Sequence, residues 1–156
     1  MKIKISAGLA LVYDNKVLLG HPTNAAWYRT YSFPKGVRKN RWETLIDTAI
    51  RETKEEVGIS IDKSIVTTDP IIIEYRNNHD NLYKECYIFV VDMTFLKPMQ
   101  ITPEFPRIPD SWLQKEEIDW AGFVLESVAR EKIFWRFDPV LDLIFGRESN
   151  EIDGQL

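Results

Sequence analysis

The feature that most constrains this chain is a glutamate-rich segment, GVRKNRWETLIDTAIRETKEEVGI, from Gly36 to Ile59. Thr44 with Asp47 three residues later resembles a capping box, with Asp in place of the usual Glu or Gln, and Gly58 suits a left-handed C-cap. The segment therefore predicts a helix from about Thr44 to Val57. At about 100° per residue, Ile46, Ile50, Thr53 and Val57 fall on one stripe that is expected to face the core. Glu52 and Glu56, four residues apart, share a face beside Leu45 and Ala49, while Glu55 projects further round toward solvent. This sets Glu52 and Glu56 at a groove between helix and sheet, where two carboxylates repel and burial raises their pKa. A hard divalent cation, Mg2+ or Mn2+, removes that cost because such ions prefer oxygen ligands. A bare ExxEE pattern is more often a solvated Glu/Lys face. Arg51, Gly58, the spacing from Glu43 and the preceding Phe33-Pro34-Lys35-Gly36 together reverse that balance.

Around this helix the chain reads as one domain of mixed strands and helices. Lys2–Val12 and Lys16–Gly20 are strand-like and joined by a Tyr13-Asp14-Asn15 turn. A loop follows, HPTNAAWYRTYSFPKG, with a short extended piece at Tyr31–Phe33. Ile71–Arg76 and Leu82–Thr94 flank the turn NNHDN and are expected to pair as a hairpin. KPMQITPEFPRIPD, with four prolines, is a loop, and Ile118–Val124 is a last strand. Leu125–Phe145 reads mostly as a helix broken or kinked at Pro139. Strands, one helix, more strands and a terminal helix predict an α+β fold, an α/β/α sandwich.

The segment resembles the signature of the Nudix hydrolases, Gly-x5-Glu-x7-Arg-Glu-U-x-Glu-Glu-x-Gly-U, where U is a bulky aliphatic residue. SAGLALVYDNKVLLGHP resembles the family's opening strands, YSFPKG the approach to the box, and EIDWAGFV its late E-x5-W/F strand, so the likeness runs from about Ser6 to Phe145. Two departures stand out. Six residues rather than five separate Gly36 from Glu43, with Trp42 in place of a glycine, and Thr53 holds the first U position. Spacing from Glu43 to Glu56 is intact, so the extra residue is expected to be absorbed in the loop, with the Thr53 hydroxyl bonded back to the helix.

The resemblance implies a mixed sheet between helices, a Mg2+ or Mn2+ cofactor, and attack of water on a diphosphate. Carried over by position, Glu52 and Glu56 match metal ligands, Glu55 a further or water-mediated ligand, and the main-chain carbonyl of Gly36 or Lys35 a position that often joins the metal. Arg51 matches the arginine that orients the box carboxylates, and Glu43 its structural partner. The proton-accepting base often lies outside the box. Glu104, in the proline-rich loop, is the first candidate here and Glu85, at the hairpin, the second.

Substrate clues sit before and within the box loop. Lys35, Arg38, Lys39 and Arg41 make that loop basic enough to engage outer phosphates, although a solvated turn explains Arg38 and Lys39 equally well. Trp27, Tyr28 and Tyr31 either stack on a base or pack beneath the loop. His21 is more often a satisfied residue than a phosphate contact, and Cys86 belongs to the core. A net charge of −4 argues against broad capture of nucleic acid, leaving at most an RNA 5′ end. The lone cysteine fits a reducing, cytoplasmic setting. No apolar run approaches the roughly 20 residues of a membrane span, and the aromatic C-terminal part leaves room for a homodimer. The expected activity is metal-dependent hydrolysis of a nucleoside or dinucleoside polyphosphate. RNA 5′ ends, ADP-ribose and diphosphoinositol phosphates are alternatives within the class, and a binding or sensing module without turnover is the alternative outside it.

Overall fold

The computed structural model describes residues 2–93 and 107–146. Its centre is β1 (Lys4–Tyr13), where Ser6, Ala7, Gly8, Leu9, Ala10 and Leu11 are all buried. Unbroken burial means that both faces of the strand are covered. Ala7, Leu9 and Leu11 enter one hydrophobic cluster and Ala10 the other, which is the alternation a pleated strand imposes.

The sheet is mixed. β1 runs parallel to β5 (Leu82–Asp92) over its length, from Lys4↔Lys84 to Val12↔Asp92. Its other edge is divided between two antiparallel partners. Residues Ser6, Ala7 and Gly8 pair with β3 (Lys35–Val37), whereas Val12 and Tyr13 pair with β2 (Lys16–Pro22). The β1–β2 hairpin closes through Asp14 and Asn15, both at positive φ (51° and 60°), as a two-residue primed turn demands. β4 (Ile71–Arg76) pairs antiparallel with β5, and β6 (Ile118–Leu125) with β2, giving the order β4-β5-β1-β2-β6.

Gly8 shows why β3 lies so close. A Cβ there would overlap the Pro34 carbonyl and the Lys35 side chain. The missing side chain admits the backbone leading into the box loop, and Leu9 N–H donates to Pro34 O at 3.2 Å.

Helix α1 (Leu45–Val57) covers one face of the sheet. Thr44 caps it by accepting from Asp47 N–H at 3.1 Å, and Gly58 ends it at φ 75°. The Asp47 side chain reaches Lys63 at 3.3 Å, so the hydroxyl cap is met while Asp47 serves an ion pair. The buried face of α1 is centred on Ala49, Thr53 and Glu56 with Thr48 and Val57, which corrects the expected stripe. Ile46 and Ile50 pack at its margin. Small residues bring the helix axis close to the sheet and carry Glu56 inward with them. The Thr53 hydroxyl donates to Ala49 O at 2.8 Å, so its polar atom is satisfied inside the core.

The opposite face is covered by α2 (Glu126–Lys132) and α3 (Asp138–Phe145). The expectation was a helix over most of Leu125–Phe145, broken or kinked at Pro139. The chain instead leaves α2 at Ile133, makes a single 3-10 turn at Trp135–Phe137 and re-enters helix with Pro139 in its first turn. Proline therefore starts α3 rather than breaking it, because its missing N–H costs nothing there. Ile133, Phe137, Val140 and Leu141 pack with Phe33, Leu19 and Ile88 on that side. This completes the α+β sandwich of helices on a mixed sheet. Among the described residues no helix is long and apolar enough to cross a membrane.

Candidate metal and phosphate site

Arg51 organises the outer side of α1. Its Nε and Nη2 donate to the two oxygens of Glu43 at 2.8 and 3.0 Å, a two-pronged contact that fixes both planes. Nη1 donates to Glu52 at 2.9 Å and to Glu55 at 3.2 Å, and Nη2 reaches the Val37 carbonyl at 3.2 Å. Glu43 also accepts from Lys39 N–H at 2.9 Å and from the Thr48 hydroxyl at 2.8 Å. Hydrogen bonding to Arg51 holds Glu43 well down, to about 2, and the same contact raises Arg51. Glu43 is thus fully used as an anchor for Arg51. The extra loop residue is absorbed by a turn in which the Asn40 side chain accepts from Trp42 N–H at 2.9 Å and Glu43 N–H at 3.1 Å.

Glu56 lies on the inner side and is 8% exposed. Burial first, and the neighbouring Glu52 second, push its carboxyl up to about 8. Lys35 N–H donates to it at 3.3 Å. The Glu52 carboxyl sits directly over Gly36, where an added Cβ would overlap it. These residues line a cleft of about 330 Å³ with Lys35, Val37, Glu55, Gln114 and Glu117. Gln114 N–H donates to the Glu56 carbonyl at 3.0 Å and ties the chain before β6 to the helix. Gln114 and Glu117 were not anticipated. The available signal was that EIDWAGFV, recognised as a strand, begins at Glu117.

Among the described residues no three His, Cys, Asp or Glu groups already converge as a ready metal cage. Glu52 and Glu55 are instead turned to Arg51. The donor set nevertheless fits a hard divalent cation. A buried carboxyl forced above its ordinary range by a second carboxylate gains most from a cation between them. The missing side chain at Gly36 lets the Glu52 carboxyl lie directly against the backbone at the same point. Glu52 and Glu56 therefore form the inner pair, and Glu55, 46% exposed at its side chain, the outer member.

The remaining predicted residues divide clearly. Lys35 lines the acidic cleft, and its ammonium lies 6.0 Å from the Phe137 ring centre. Arg38, Lys39 and Arg41 face a different cleft with Trp42. Tyr31 is a correction. It is 4% exposed and its ring packs among His21, Trp27 and Trp120, so no face is open to a base. Trp27 stacks on His21 at 3.5 Å while staying largely exposed, and Tyr28 is exposed. His21 is fully buried, its Nδ1 2.6 Å from Asp119 and its Nε2 donating to the Ala25 and Ala26 carbonyls at 3.0 Å, and so it tethers a loop rather than contacting phosphate. Cys86 is buried in the core. Glu85 accepts from the Tyr87 hydroxyl at 3.1 Å and does not line the acidic cleft. Glu104 lies outside the described residues.

Comparison with known proteins places the fold that carries these residues. The family model for the NUDIX domain matches residues 2–135. An Ap4A hydrolase from C. elegans, solved as a binary complex, is similar with a TM-score of 0.62 at 18% identity, over 97% of this chain and 99% of the other. A NUDIX hydrolase from Nitrosomonas europaea gives 0.58 at 15% identity over 98% and 90% of the two chains. A MutT NUDIX hydrolase from Burkholderia pseudomallei gives 0.57 at 13% over 81% and 86%. No curated protein matches the chain.

Proposed function

The chain belongs to the Nudix family, and from that premise we propose that it hydrolyses a diphosphate linkage in a nucleoside or dinucleoside polyphosphate with Mg2+ or Mn2+. The observation that carries this reading is the buried Glu56 beside Glu52, whose carboxyl lies against Gly36, in a cleft that Lys35 and Glu117 also line. Glu52 and Glu56 would hold the metal, with Glu55 and the Gly36 or Lys35 carbonyl completing its shell. When bound, such a metal neutralises phosphate oxygens and lowers the pKa of the attacking water.

The protein's own residues supply the rest. Arg51 fixes the direction of Glu52 and Glu55, with Glu43 behind it. Lys35 meets phosphate oxygens at the edge of the cleft. Water forms a bond to one phosphorus while the bond from that phosphorus to the bridging oxygen breaks. The electron pair leaves on the departing phosphate, and the water's proton passes to a carboxylate. Glu117 is the proposed acceptor within the described cleft, and Glu104 the proposed alternative. The buried, unpaired Cys86 fits a reducing cytoplasmic location.

The test is a substrate panel of nucleoside triphosphates, dinucleoside polyphosphates, ADP-ribose, 5′-triphosphorylated RNA and diphosphoinositol phosphates, assayed with each metal for phosphate and nucleotide release. Metal-dependent turnover of a nucleotide polyphosphate is expected and should stop in EDTA. Folded protein that binds these ligands without turning any of them over would contradict the reading and leave a sensing module.

A further inference from the structure

A second cleft, of about 540 Å³, opens on the far side of Val37, between the start of β1 and the box loop. Lys2, Lys4, Arg38, Lys39 and Arg41 line it, without a carboxylate. None of these five cations forms an ion pair among the described residues, although the chain carries 24 acidic and 20 basic residues. Elsewhere the arginines are used. Arg29, Arg51, Arg76, Arg107 and Arg130 each hold a carboxylate, and Arg136 lies over Tyr75 and Trp135. Five cations gathered in one cleft without a carboxylate make a local positive potential that suits an anion from outside.

The same cleft holds Trp42, which is 76% exposed. The Arg41 guanidinium lies 4.6 Å from its ring centre, steadying the indole on one side. An indole so exposed beside cations suits a nucleobase, which has a flat face to stack. A sugar phosphate or inorganic polyphosphate would use the cations and leave the indole idle.

We propose that this cleft is a subsite for a second nucleotide, a nucleoside phosphate unit lying beyond the diphosphate that is cleaved in the acidic cleft. Val37 lines both clefts. Arg38 follows Gly36 by two residues, roughly 7 Å along an extended strand, within reach of a short phosphate chain. The substrate class is thereby narrowed to molecules with nucleotide on both sides of the scission. This chemistry has two sources, a dinucleoside polyphosphate and the 5′-phosphorylated end of RNA. The proposal rests on the hydrolase reading above for the position of the scission.

The test compares kcat/KM for diadenosine tetraphosphate and for a short 5′-triphosphorylated RNA with that for ATP. The proteins are wild type, Trp42→Ala, Trp42→Phe and the Arg38→Ala/Arg41→Ala double variant. Binding of the two larger ligands is measured in parallel in EDTA. In Trp42→Ala the preference for a two-nucleotide substrate over ATP should fall about tenfold, within the range that loss of one stacking platform costs. The loss should lie mainly in KM, Trp42→Phe should restore most of it, and the double variant should flatten the salt dependence of binding. The substrate whose preference falls identifies the source. Unchanged preferences in both variants, with hydrolysis intact, would overturn the subsite and leave the hydrolase reading standing. If wild type hydrolyses nothing, the hydrolase reading fails, and binding in EDTA decides the subsite: equal affinity in wild type and variants overturns it.

Discussion

The two clefts on either side of Val37 are built on opposite electrostatic plans. On the helix side, Glu52, Glu55, Glu56 and Glu117 line one cleft, and the fold spends Arg51 and Glu43 on holding part of that set in place. On the loop side, five cations gather with no carboxylate and no ion pair among the described residues. Pairing within the fold fixes geometry, which chemistry needs. Leaving charge unpaired preserves affinity for something outside, which recognition needs. The box helix and the box loop, adjacent in sequence, thus divide the two tasks.

The sharpest way to break this division is at the inner carboxylates. Glu52→Gln and Glu56→Gln should each lower kcat by at least about 10²–10³-fold, and steady-state assays with saturating Mg2+ would show it. Near-normal turnover in either variant would remove the assigned metal site. Next comes the Arg51 anchor. Arg51→Ala should weaken metal affinity by about 10–100-fold, as loss of a supporting group does, and should also lower the melting temperature, since Glu43 then loses its partner. Arg51→Lys should recover little, because an ammonium cannot span both Glu43 oxygens and Glu52 together.

A smaller effect concerns stability against pH. The folded value of Glu56, about 8, lies above the ordinary 4.5, so between these values the folded metal-free protein holds a proton that the unfolded chain has released. That contribution is fully present below about 4.5 and is lost as pH rises through about 8. In EDTA the melting temperature should therefore fall as pH is raised across this window. Glu56→Gln should flatten the slope, and saturating Mg2+ should remove most of it. The smallest effect is expected at Tyr31→Phe. Its ring is closed into the core, so KM should not change, and a large rise in KM would reopen it as a base-stacking position.

The helix was legible because its signals are local. Thr44 and Gly58 mark its ends by hydrogen bonding and by φ, and the helical spacing of Arg51, Glu52, Glu55 and Glu56 sets their faces. The β4–β5 hairpin was legible for the same reason. What failed depends on distant partners. β3 is too short to announce itself and exists because Gly8 lets it approach β1. The split between α2 and α3 follows from packing Ile133 and Phe137 into the core. Tyr31 is buried by His21 and Trp120, from two other strands. Glu117 joins the site only because β6 pairs with β2 and Gln114 is tied to the end of α1. The centre of the buried face moved for a subtler reason, since Ala49 and Thr53 let the helix come closer than the larger Ile46 and Ile50 would.

The central claim is that Glu52 and Glu56, over Gly36, hold the metal that the chemistry needs. Anomalous diffraction from crystals soaked in Mn2+ tests it most directly. The account predicts a peak within coordinating distance, about 2.0–2.6 Å, of carboxylate oxygens of both Glu52 and Glu56 and beside the Gly36 or Lys35 carbonyl, absent in Glu56→Gln crystals. Strong Mn2+ density elsewhere, with the Glu52–Glu56 pair bare at saturation, would contradict it.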